Sequence, residues 1–415
     1  MKKQKAKRYN QKNRAEEFLS YEELPLENYE KDVPKISKFP VKRLIAAAVI
    51  ILLCFGIVFA FYNRDKLSPE NIGNWFNYEL LGKAQGEGYP STISGTNLSA
   101  GNIDMIDNYL VYASNTSCVT LSSSAYQIAN RQITYSQPVL KTSGNRMLVY
   151  ALGEKSYMVN TINNQEHAGS LGGEIFCADI NKNGETGFVT ETDGYFCKFS
   201  YLNDLHKEKY TYSFSEYFIN SVKINNAGNT AVLGGVSAKE AQGKMGLYVL
   251  DFYSDKPKKI FEYPSDVVLD IDFVTDNIAV VVAKNSLFFI NTSNGEITQH
   301  SYNKLQLTAY NINQETGCTV LSLSRSGDGR NCDVLYYNQG GELVNTIKTD
   351  ISVSSLSVYK DRIALLQNET ATLYNKEGEN LGAAQTGKDA RAILLSGSNQ
   401  AYVLGVSEIR TAEFK

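Results

Sequence analysis

From residue 103 onward a polar turn recurs at intervals averaging about 42 residues, and a short aliphatic strand follows each one. The turns centre on Asn108, Asn145, Asn183, Asn229, Asn277, Gly317, Asp361 and Asn399. The segments after them, such as 147–150 and 278–282, are apolar without alternation, as strands are when both faces are buried. A second landmark falls further along each unit, at Val159-Asn160, Leu250-Asp251, Ile290-Asn291, Tyr337-Asn338 and Tyr374-Asn375. These pairs lead into polar turns such as Asn294-Gly295-Glu296, Gly340-Gly341-Glu342 and Glu377-Gly378-Glu379. Four short strands in about 40 residues is the spacing of a propeller blade. One such meander cannot cover both of its faces, so the units must stack on one another. The expected fold is all-β: a β-propeller of eight blades, or of seven if the two weakest units, the first two, merge. The last unit, from Ala390, has room for three strands. A strand within 91–99 is expected to supply the fourth and close the ring.

Ahead of the repeat, nineteen uncharged, mostly apolar residues run from Leu44 to Tyr62, with Lys42 and Arg43 before them and Arg64, Asp65 and Lys66 after. As a helix this run would reach about 28 Å, near the ~30 Å hydrocarbon core of a bilayer. It is too long for a signal-peptide core and lacks a small-x-small cleavage site, so it predicts an uncleaved anchor. Lys31, Lys35, Lys38, Lys42 and Arg43 outnumber the nearby basic residues on the far side, which places the N-terminus in the cytoplasm and the rest outside. The predicted segments are a basic, disordered tail over 1–40, a transmembrane helix over 41–63, a juxtamembrane amphipathic helix and linker over 64–88, and an extracytoplasmic propeller over 89–415. Ser68-Pro69-Glu70 is the start signal for the juxtamembrane helix, and Gly82 its stop. The formal net charge is −3, and removing the basic residues 1–43 leaves about −8 on the remainder. That is the wrong sign for a phosphate-binding surface, so no nucleic-acid partner is expected.

No catalytic, cofactor-binding or metal-ligating residue is assigned from the sequence. His167, His206 and His300 stand far apart, without a second His or a Cys-x-x-Cys at ligand spacing. There is no Gly-x-Ser-x-Gly elbow or Walker loop. Asp179-Ile180-Asn181-Lys182-Asn183-Gly184 has the form of half a calcium loop, but Gly187 and Thr190 occupy the later ligand positions, so a tight hairpin is expected. Cys177 and Cys197 should lie on the first and third strands of one blade, beyond disulfide reach. The cysteines are therefore read as free.

The Asn-x-x-x-Gly-Glu turn at 291–296 and the Asn-x-x-Gly-x-Thr hairpins at 181–186 and 225–230 resemble those of WD40-like and quinoprotein-like propellers. The whole arrangement is similar to an uncharacterised bacterial family of single-pass membrane-anchored β-propeller proteins, whose propeller follows a Gly-x-Gly-Tyr-Pro segment like 86–90. The resemblance implies fold and anchor and carries no activity. Quinoprotein propellers lock their blades with a repeated Trp, whereas the single Trp here, Trp75, lies outside the repeats, so no quinone is expected. The functional expectation is a non-catalytic binding or scaffolding module for a protein or polymer of the cell envelope. The alternatives are an enzyme acting on envelope glycans or peptides, and a sensor signalling through the single helix. The expected contact is an insertion at 234–246 in the fourth unit, where Ala238, Lys239, Glu240, Gln242 and Lys244 should project as a loop rather than form buried strand.

Overall fold

The computed structural model describes residues 49–58, 72–73, 76, 85–96, 98–237 and 243–415. The chain divides into two units, Met1–Asn63 and Arg64–Lys415. In the first, residues 49–58 are helical. Eight of those ten residues are large apolar side chains between 50% and 77% exposed, on every side of the helix. Among the described residues no helix is long and apolar enough to cross a membrane. The expected span from Leu44 to Tyr62 is therefore not seen as such, because its two ends lie outside the described residues. The expected juxtamembrane helix also falls mostly outside them.

Each of the eight turns joins the first strand of a four-stranded antiparallel sheet to its second. The eight first strands are Ile103–Ile106, Pro138–Ser143, Ile175–Ile180, Phe218–Ile224, Val268–Thr275, Gln306–Asn313, Ser355–Tyr359 and Ala392–Leu395. They lie innermost, and those of consecutive blades adjoin. The sheets form a ring because eight separate apolar clusters each draw on two consecutive blades, the last joining blade 8 to blade 1. The first two units do not merge: each has its own complete sheet, which excludes seven blades. Strand periodicity explains the unbroken apolar runs. In the second strand of blade 5, Ala279, Val281 and Ala283 enter the cluster shared with blade 4, while Val280 and Val282 enter the one shared with blade 6. Neither face of such a strand meets water, and each fully buried Val contributes about 1.5–3 kcal/mol.

The recurrent Asn has a mechanical reason. The Asn181 side-chain carbonyl accepts from the backbone N–H of Asn183 (3.0 Å) and Glu185 (3.1 Å), and its amide donates to the Glu185 carboxylate at 2.6 Å. Asn338 does the same with Gly340 and Glu342, and Asn375 with Glu379. One side chain thus stands in for backbone partners that a tight turn leaves unmet. Closure follows the expected route but with a shorter strand. Ser91–Thr92 pairs with the third strand of blade 8, at Ile409 and Glu408, and becomes that sheet's outermost strand.

The insertion in blade 4 departs from expectation. Its flanks continue the sheet, giving eight-residue strands Thr230–Ser237 and Lys244–Asp251, with Gly234 and Gly235 buried. Glycine is needed there because packing is close. A Cβ on Gly234 would lie 2.5 Å from Val268 of the next blade, and one on Gly246 would lie 2.6 Å from the Tyr217 ring. Lys244 is thus strand rather than loop, paired with Ser237. Ala238, Lys239, Glu240 and Gln242 lie outside the described residues.

Candidate functional site

A meander alternates its connections between the two ends of the ring. The links between blades, and those between second and third strands, fall on one face, here termed the loop face. The turns between first and second, and third and fourth, strands form the turn face. The chain arrives on the turn face, where the Gly86 N–H donates to Ser124 Oγ (3.0 Å), that of Gly88 to the Ser124 carbonyl (3.0 Å), and the Tyr89 hydroxyl to the Ser122 carbonyl (3.2 Å). The loop face is left to the inner strands' starts.

The inner strands around the axis carry four aspartates and two lysines as their only charged residues: Asp104, Lys141, Asp179, Lys223, Asp270 and Asp272. The Lys223 ammonium lies 3.3 Å from both Asp179 and Asp272, and Asp179 also accepts from the Ile224 N–H at 2.9 Å. Lys141 of blade 2 reaches Asp270 of blade 5 at 3.9 Å, a pair that spans the axis. Asp104 accepts from the Thr142 hydroxyl and the Met105 N–H, Gln314 donates to Asp272, and burial and then the Asp270 carboxylate push the Tyr310 hydroxyl up from its ordinary value. Burial raises the Asp104 carboxyl above its usual range, against the pull of Thr142 and Met105. Burial also disfavours the charge on Lys223, but Asp179, Asp272 and Asp270 outweigh it and hold the ammonium above its ordinary value. These groups tie the blades across the axis. The carboxylates are engaged with cations and hydroxyls rather than poised as an acid–base pair.

Above this network the inner strands of blades 3 to 6 each carry a β-bulge near their start, at Phe176, Asn220, Leu269 and Thr308. A bulge inserts one extra residue and re-aims side chains locally, and here four consecutive blades do so at one mouth. Leu269, Leu307, Thr308, Ala309, Tyr310, Ser354, Ser355 and Leu356 line a cavity of about 320 Å³ at this mouth. Exposed apolar residues extend the same rim on the loop face: Leu152, Tyr195, Phe196, Phe218, Val267 and Leu269, at 37–52% exposure. The Phe176 and Phe218 rings bridge blades 3 and 4 at 4.7 Å.

Of the residues singled out in the sequence, Asp179 proves to belong to the axial network, while the turn after it is satisfied internally by Asn181. The histidines are not all isolated. The His167 and His206 rings stack at 3.7 Å and 19°, between the outer strand of blade 2 and a turn of blade 3. Among the described residues no group of three or more His, Cys, Asp or Glu is placed to hold a metal ion. Cys118, Cys177, Cys197, Cys318 and Cys332 are free and buried, as expected. Sequence reading missed the axial charges and the bulged mouth. The only sequence signal for the former is charge inside otherwise apolar first strands, as in Ile-Asp-Met-Ile over Ile103–Ile106.

Eight four-stranded blades, closed by an N-terminal strand around a charge-filled axis, define a β-propeller. The chain matches the family of unknown function DUF5711 over residues 87–414 and belongs to that family. A comparison with curated proteins finds no match. Among solved structures the chain is similar to the C-terminal WD40 domain of Sif2, at 11% identity and TM-score 0.56, covering 80% of this chain and 98% of that one. It is also similar to BamB from Moraxella catarrhalis, at 12% identity and TM-score 0.47, covering 79% and 100%. At these identities the WD40 likeness is one of fold.

Proposed function

We propose that this chain is a bacterial single-pass membrane protein of type II topology, whose extracytoplasmic propeller is a non-catalytic binding or scaffolding module for a protein of the cell envelope. The observation that carries the binding reading is the exposed apolar rim on the loop face, from Leu152 to Leu269 across blades 2 to 5. Several large apolar side chains exposed on one face are a mark of interaction surfaces in folded proteins. Ala238, Lys239, Glu240 and Gln242 lie in sequence between the strands Thr230–Ser237 and Lys244–Asp251, whose adjoining ends are on that same face, and they are included in the proposed contact. Anchoring draws its support from the run between Leu44 and Tyr62, whose described part is a helix apolar on every side, a composition suited to lipid. An enzyme working through the axial carboxylates is disfavoured by the engagement of Asp179, Asp270 and Asp272 with Lys223 or Lys141 and of Asp104 with Thr142.

One experiment tests topology and binding together. Intact cells are treated with a membrane-impermeant crosslinker, and the full-length chain is recovered and probed for attached protein. A specific crosslinked partner is expected, with recovery at least about fivefold lower for the Phe196→Glu, Phe218→Glu double variant at unchanged thermal stability. Recovery undiminished by that variant would overturn the binding face. Crosslinking seen only after lysis would overturn the topology.

A further inference from the structure

The cavity at the loop-face mouth has two chemistries in sequence. Its lining sets Leu269, Leu307, Ala309 and Leu356 beside Thr308, Ser354 and Ser355, and it includes Tyr310, whose hydroxyl is pushed up by burial and then by the Asp270 carboxylate. A volume of about 320 Å³ lies at the low end for ligand pockets, enough for one long side chain and too small for an element of structure. The bulges at Leu269 and Thr308 shape this wall, whereas the inner strand of blade 7, with Ser355 and Leu356, has none. Behind the rim, carboxylates on the inner strands outnumber ammoniums four to two. Lys223 is already shared by Asp179 and Asp272. Asp270 is the most accessible of these acids in an ion pair: its side chain is 33% exposed, and Lys141, the cation it pairs with directly, stands 3.9 Å away.

We propose that this cavity is a subsite for one lysine side chain of the protein partner, its stem packed on Leu269, Leu307 and Leu356 and its ammonium directed to Asp270. The inference rests on the binding-module reading and adds the partner's chemistry. A four-carbon apolar stem ending in a compact ammonium suits leucine side chains with a carboxylate next to one of them in the strand, as Asp270 follows Leu269. Arginine fits less well. Its planar fork calls for two free carboxylate oxygens, and Asp270 Oδ1 already accepts from the Ile271 N–H at 3.0 Å and faces Lys141. The net charge of about −8 beyond residue 43 favours approach of a basic partner at long range.

The test is a methyl-NMR titration of the full chain in nanodiscs, with leucine methyl groups labelled. The probes are Nα-acetyl-lysine methylamide, its norleucine analogue and its Nε-acetylated form. The lysine probe should move the Leu269, Leu307 and Leu356 methyl signals at concentrations at least tenfold below those the other two require. Asp270→Asn should bring lysine down to the norleucine level. Equal response to all three probes, or none at these leucines, overturns the proposal. If Asp270→Asn does not fold, the contrast among the probes on the native chain decides alone. Failure here while the Phe196→Glu, Phe218→Glu variant still loses its crosslinked partner removes the lysine subsite and leaves the binding module standing.

Discussion

His206 sits in a left-handed backbone conformation (φ 56°) that brings its ring against His167, with Tyr157 beside both. Burial, and then the neighbouring His167, lower its pKa, while Glu166 and Asp204 pull the other way. The folded state therefore resists a proton that the unfolded chain accepts at its ordinary value near 6.5. The stabilisation is complete above that value and is lost as pH falls through it toward the lowered folded value. Asp104, raised by burial, contributes with the opposite sign, so the His206 share must be isolated by difference. His206→Asn keeps a residue that tolerates positive φ. Melting temperatures measured from pH 7.5 to 5.5 should fall less steeply for that variant than for the native chain. Parallel slopes would show that the stacked pair is not responsible. Nothing in the sequence reveals this pair, because 39 positions separate its members and only the stagger of two blades brings them together.

Among the elements, turns and inner strands differ in how plainly the chain announces them. Asn181 and Asn338 fix their turns with bonds to residues two and four positions away, and Asn375 with bonds to the residue four away, so the motif and its cause lie in the same short stretch. The inner strands behave otherwise: Lys223 is legible as a charge in an apolar run, but its partners come from blades 3 and 5. With Asp179 fully buried and the Lys223 side chain 10% exposed, removing the ammonium leaves two carboxylates uncompensated. Lys223→Met should cost about 3–5 kcal/mol in urea unfolding, and adding Asp179→Asn should restore part of it. A loss below about 1 kcal/mol would mean that water, rather than Lys223, compensates the aspartates.

For the whole ring, closure rests on a small element. Ser91–Thr92 supplies two register pairs, Ile93 adds a backbone bond to Ser407 at 3.0 Å and a buried side chain, and Tyr89 packs on Tyr402 at 5.0 Å. Replacing residues 86–93 with a Gly/Ser tract in the full chain should lower unfolding free energy by about 3 kcal/mol or more, mainly through Ile93 and Tyr89. An unchanged urea midpoint would show that the blade 8–blade 1 cluster closes the ring unaided. What the sequence by itself determined was everything carried by local repetition: a ring of propeller units whose number it left at eight or seven, their first turns, the doubly buried second strands and the need for a borrowed strand. Those follow from periodicity and turn chemistry, which act over a few residues. Only the tertiary structure decided what meets at the axis and at the mouth. The cross-axis pair of Lys141 and Asp270, the bulges that shape the loop-face rim and the strand extension of blade 4 depend on how blades approach one another. Such contacts join residues about one to three repeats apart, where no local pattern constrains the choice.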